Sequence, residues 1–173
     1  YVPQNVEGLF QVISNSGQNV ITRLDRMFDE GLYWHGNEPC HQIAYLYNKA
    51  GVPWKTQQRI HHILNTEYND TPGGLSGNDD AGQMSAWYMF SAIGFYPVCP
   101  ATPYYYIGTP SFDKVTFNLE NGRKFEIVAE GVDDENFYIQ QVDLNGKSGY
   151  YLSHDDLLKG GKLSFRMGNS PKY

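Results

Sequence analysis

The sequence predicts an α+β fold, with helical hairpins over residues 1–99 followed by a small antiparallel β-sheet over residues 100–173. Three observations predict it. Apolar residues recur at helical spacing before Pro100, the period falls to two after it, and Asn121-Gly122 separates two alternating runs.

Val6, Leu9, Phe10 and Ile13 form one helical stripe, and Val20, Leu24, Met27 and Phe28 a second. Ile43, Ala44, Leu46 and Tyr47 continue the pattern until Gly51. Pro53, tolerated in a first helical turn, opens a helix over 54–68 with Ile60, Ile63 and Leu64 as its core face. The next helix, over 82–93, carries apolar residues around most of its circumference and is expected to be buried on nearly all sides. Val115, Phe117 and Leu119, then Phe125, Ile127 and Ala129, make a hairpin about Asn121-Gly122. A third strand covers 138–144 and turns at Asn145-Gly146, and a last strand covers 162–167.

The 173 residues are long enough to bury a real core. Aromatic residues reach 15% while charged residues are only 18%, which excludes a disordered segment and leaves rings for an interface or a polar ligand site. The net charge of −6, with no basic run, argues against nucleic acid and against an anionic membrane surface as partners. No apolar run approaches the roughly 20 residues that span a bilayer. The chain has no signal peptide and does not begin with Met, so it reads as cut from something longer. Cys40 and Cys99 make no disulfide framework or zinc spacing; a single bridge between them has no support in the pattern, and two ordinary thiols are expected.

Two segments break the periodic pattern with polar residues. Trp34-His35-Gly36-Asn37-Glu38-Pro39-Cys40-His41 gathers an aromatic, two imidazoles, an amide and a carboxylate. It reads either as a helix start, with Asn37 capping and Glu38 favoured by the dipole, or as a site. In Leu75-Ser76-Gly77-Asn78-Asp79-Asp80-Ala81-Gly82-Gln83 a glycine-rich turn carries two acids into the most apolar helix. Capping by Asp79 or Asp80 is again the simpler reading. One cap needs one side chain, however, and carboxylates at a buried helix mouth also suit acid–base work or oxygen ligation of a hard cation. The clusters Asp133-Asp134-Glu135 and Asp155-Asp156 read as solvated turns between strands, and His61-His62 lacks metal spacing.

At these segments the sequence resembles glycoside hydrolase family 92, the calcium-dependent, inverting exo-α-mannosidases of the α-1,2 type abundant in gut Bacteroidetes. The resemblance lies on Gly36-Asn37-Glu38-Pro39, Tyr45-Leu46-Tyr47-Asn48, Pro53-Trp54-Lys55-Thr56-Gln57 and the run from Gly77-Asn78-Asp79-Asp80 through Trp87 to Gly94-Phe95-Tyr96-Pro97. Tyr106-Ile107-Gly108, Asn145-Gly146-Lys147 and Gly160-Gly161 extend it over essentially the whole chain. It implies that the helical half is part of an α/α barrel and that the chain is one compact unit from the C-terminal portion of a larger enzyme acting on mannose-containing glycans. It implies Asp80 as catalytic base, with Asp79 second, and calcium at Glu38 and Asn37. His35, Trp34 and His41 are the expected sugar contacts. The family's general acid is a glutamate upstream of Tyr1; Glu7 and Glu30 match no family acid. A chain without that acid is expected to be inactive alone. Upstream domains of the parent are the expected partners, and export to the periplasm or cell surface the expected localisation. The competing reading is a non-catalytic carbohydrate-binding or structural module, against which the retained acids argue.

Overall fold

Asn5 and Asn19 open the first two helices, each side-chain oxygen accepting from a backbone N–H three residues on, Gly8 at 2.9 Å and Thr22 at 3.0 Å. The helices are α1 (Val6–Asn15) and α2 (Val20–Asp29). Each buries one residue, Val6 and Leu24. Glu7 and Glu30 are engaged on their surface by Lys49 and Arg26. This computed structural model describes residues 1–146 and 149–173, so Lys147 of the family-like Asn145-Gly146-Lys147 lies outside the described residues.

The stripe at 43–47 is a 3₁₀ turn followed by the single-turn helix α3 (Leu46–Lys49), and it supplies Ala44, Tyr45, Leu46 and Tyr47 to the core. Helix α4 (Pro53–Thr66) begins on its proline and buries Thr56, Gln57, Ile60, Ile63 and Leu64. Helix α5 (Gln83–Ile93) ends at Gly94. It inserts Met84, Trp87, Ser91 and Ala92 but is not enclosed on all sides: Ser85 and Ala86 are exposed, and Met89 is 54% exposed.

The second half contains two sheets where one was expected. Strands β1 (Phe95–Tyr96), β2 (Tyr104–Ile107) and β6 (Tyr151–Ser153) form an antiparallel sheet in the order β1-β2-β6. Strands β3 (Lys114–Asn118), β4 (Lys124–Glu130), β5 (Tyr138–Leu144) and β7 (Gly161–Gly168) form the other, in the order β3-β4-β7-β5. It is mixed, because β7 runs parallel to β4 and antiparallel to β5. The reason is the short helix α6 (His154–Lys159), which carries the chain across before β7 enters between its neighbours. Asp155 and Asp156 therefore stand in the first turn of a helix capped by Ser153, rather than in a turn between strands.

One buried cluster runs from Val6 to Val98 through the helices, and a second from Phe95 to Met167 through the sheets. Phe90 packs against both. Buried polar side chains join them: Asn48 donates to the Ile107 carbonyl at 2.6 Å, and the Ile139 N–H donates to Gln57 Oε1 at 2.9 Å. Both cysteines are free. Among the described residues no helix is long and apolar enough to cross a membrane.

Candidate functional site

Two glycines bring the polar segments together. A Cβ on Gly77 would lie 2.7 Å from both Cα and O of Gly36, and one on Gly36 would lie 2.6 Å from the Ser76 carbonyl. The loops thus cross backbone to backbone, a distance that excludes any side chain at either position.

Beneath the crossing sits His35, 0% exposed. Its Nδ1 lies 2.7 Å from the Tyr33 hydroxyl and its Nε2 2.6 Å from the Tyr68 hydroxyl, which donates onward to the Met84 carbonyl at 3.1 Å. The ring stands edge-on to Trp87 with centroids 4.2 Å apart. Burial first, and neighbouring His41 second, push its pKa down to about 3, so it is neutral at physiological pH. His41 is buried as well: its Nε2 lies 3.0 Å from the His35 carbonyl, its Nδ1 3.3 Å from Gln83 Nε2, and its carbonyl accepts from the Trp87 indole at 2.9 Å. These placements differ from the sugar contacts expected of the two histidines. Both rings are core groups with both nitrogens engaged, and they hold the loops from below. Trp34, 58% exposed, remains open to a ligand.

The capping readings are settled by geometry. Asn37 precedes the 3₁₀ turn Glu38–Cys40 without capping it, and its side chain is exposed. The residue before α5 is Gly82, not an acid, yet Asp79 reaches past it to accept from the N–H and hydroxyl of Ser85, each at 2.9 Å. Asp79 is thus tied to the helix mouth, whereas Asp80 is turned outward by a left-handed backbone: φ is 47° at Asp80 and 58° at Ala81. Left-handed conformations at non-glycine residues cost about 1 kcal/mol each and cluster at functional sites.

Glu38, on the crossing loop, is the group with the largest effect on Asp80. A hydrogen-bonding contact with Glu38, then its charge, raise the Asp80 pKa, while Glu38 is held low by its own backbone N–H and by Asp80. Glu38 Oε1 is buried and has no hydrogen-bond partner among the described residues. A buried carboxylate oxygen without a donor is costly, so the pair has the character of a site for a proton, a donor or a hard cation. Among the described residues no three His, Cys, Asp or Glu side chains converge as a complete metal site. Tyr33 and Tyr68 were signalled only by the density of aromatic residues, whereas Gln83 stood at the end of the second polar segment; the roles of all three rest on contacts across the fold.

The profile of the glycosyl hydrolase family 92 catalytic domain matches residues 1–169. The chain belongs to glycosyl hydrolase family 92. It superposes over its whole length on 24% of a family 92 α-mannosidase from Bacteroides thetaiotaomicron, with a TM-score of 0.92 and 45% identity. A second structure of that mannosidase, in complex with mannoimidazole, matches 82% of the chain and 19% of its own at TM-score 0.77 and 49% identity. A family 92 inverting mannosidase of the same species matches 87% of the chain and 20% of its own, at TM-score 0.76 and 42% identity. A relative from Arthroderma benhamiae, described as an uncharacterized secreted glycosidase, is 31% identical across 97% of the chain. The chain spans 22% of that relative's length, so its family 92 motifs are set within about a quarter or less of each of these proteins.

Proposed function

We propose that this chain is the C-terminal part of an exported, exo-acting α-mannosidase that removes terminal mannose from glycans with inversion, α-1,2 linkages being its proposed target. The observation that carries the reading is the crossing of the two loops, which sets Glu38 and Asp80 face to face inside a family 92 chain. Mannose as the sugar is supported by the mannoimidazole bound to the Bacteroides relative.

Asp80 is the proposed base. It is exposed, aimed by a strained backbone, and able to take a proton from a water molecule. Asp79 is the weaker candidate because Ser85 already occupies one of its oxygens. Glu38 is assigned to the metal, and the complementary acid to the upstream part of the parent enzyme, as the family resemblance implies. The 173-residue chain alone is expected to turn over no mannoside.

The donor set fits calcium in part. Glu38 supplies a buried oxygen without a partner among the described residues and Asn37 an exposed amide, both hard oxygen ligands, with the rest of the shell left to water, sugar or the parent enzyme. When bound there, the ion would supply Lewis-acid and template chemistry to the vicinal hydroxyls of mannose.

The test uses the full-length parent protein on α-linked mannobiosides, with the anomer of released mannose read by NMR. The expected result is β-mannose first, loss of the rate with a chelator and restoration by calcium. No release from any α-mannoside, or first release of α-mannose, overturns the proposal.

A further inference from the structure

Gln83, the first residue of α5, shares a cleft of about 260 Å³ with Glu38, Gln42 and Tyr96. Its amide has two orientations, and the surrounding hydrogen bonds select one. The His41 Nε2 lies 3.0 Å from the His35 carbonyl, an oxygen that only accepts, so Nε2 carries the ring proton. Burial keeps the ring neutral, which leaves Nδ1 bare. Gln83 Nε2 sits 3.3 Å from that nitrogen and 3.2 Å from the Tyr96 hydroxyl. Both amide hydrogens are therefore engaged in the wall. The flipped amide would set its oxygen against the bare Nδ1, one acceptor facing another. Gln83 Oε1 is left to the cleft, and no described residue donates to it.

We infer that Gln83 is a specificity-determining residue that accepts a hydrogen bond from one ring hydroxyl of the sugar bound against Glu38, its amide fixed by His41 and Tyr96. The inference rests on the mannosidase reading and adds a requirement to it: the position demands a donor. Removing the hydroxyl and replacing it by fluorine, which cannot donate, are equally damaging there.

The experiment measures binding of methyl α-mannoside and its monodeoxy and monofluoro derivatives to the full-length protein by calorimetry. At one ring position both derivatives should bind about three- to tenfold more weakly than the parent sugar, the worth of one neutral hydrogen bond. Gln83→Met should erase that gap, binding all three alike. His41→Phe removes the nitrogen that selects the orientation, so the fluoro derivative should regain affinity. This last variant carries the test if Gln83→Met does not fold. A fluoro derivative that binds like the parent sugar at every position overturns the inference, as does a gap that survives in Gln83→Met. Failure of the mannosidase reading is a different outcome: the wild-type protein then binds no mannoside, and the inference falls with it.

Discussion

Two acid-rich loops of the molecule, 77–82 and 131–136, are alike in composition and opposite in what their carboxylates do. Asp133 is satisfied within its own turn: it accepts from the N–H groups of Glu135 and Asn136 at 2.9 and 2.8 Å and from the Asn136 amide at 2.7 Å. Those bonds lower its pKa. Asp80 receives no such local donors. Its backbone is left-handed, its pKa is raised, and its partner is another carboxyl group from a loop some forty residues away. An acid in a glycine-rich turn is structural when neighbouring N–H groups consume its oxygens. It is available for chemistry when the backbone is bent to keep them free.

Asp→Asn at each loop of the full-length protein should separate the two most widely. Asp80→Asn should lower α-mannoside hydrolysis by about 10² to 10⁴. Asp133→Asn should leave the rate at the wild-type value. Equal rates for the two variants would remove Asp80 from the chemistry.

Acid should separate the loops next. His35, held neutral beneath the crossing, has a folded pKa near 3 against 6.5 for the unfolded chain, so the unfolded state binds the extra proton between those values. Its contribution is complete above about pH 6.5 and is lost progressively as the pH falls toward 3; by pH 5 the loss is about 2 kcal/mol. Asp133, whose pKa is lowered, gives stability that is lost only below the ordinary carboxylate range. Urea unfolding from pH 7 to 5 should therefore show a slope that shrinks by about one proton in His35→Phe and is unchanged in Asp133→Asn. A profile identical in all three would refute this account.

A smaller effect distinguishes the glycines. In Gly77→Ala the new methyl meets backbone that cannot withdraw, and the expected cost is about 1–3 kcal/mol in urea unfolding. Gly122→Ala meets nothing within 4 Å and costs about 1 kcal/mol, from its φ of 78° alone. Equal losses would show that the crossing is looser than the distances indicate. The least effect belongs to Asp133→Ala, a loss in thermal unfolding smaller than that of Gly122→Ala, because its turn bonds are exposed to water, with no change in sugar binding.

The long periodic elements were legible in the sequence because their signals are local. The helices opened by Asn5, Asn19 and Pro53, the hairpin about Asn121-Gly122 and the strand Tyr138–Leu144 all lie where spacing and turn residues place them. Strands β1 and β2 escaped because a two-residue strand has no period and Tyr104-Tyr105-Tyr106 does not alternate. The parallel pairing of β4 with β7 escaped because no short-range pattern encodes which strands become neighbours. At the site, both loops announced themselves by polarity and by family resemblance. Their chemistry divided along contacts that no spacing reveals: Tyr68 reaches His35 from 33 residues away, and Gln83 reaches His41 from 42. That is why two histidines that read as sugar contacts proved to be core groups.

The place of β7 bears on how the molecule is made. In the finished sheet β5 has one strand neighbour, and that neighbour is β7, which is translated after it. On the ribosome, β5 emerges with its hydrogen-bonding edges unpaired and β4 with one edge open. Residues 161–168 are the segment that closes both. The interval until β7 arrives is when the nascent chain is most open to edge-to-edge aggregation.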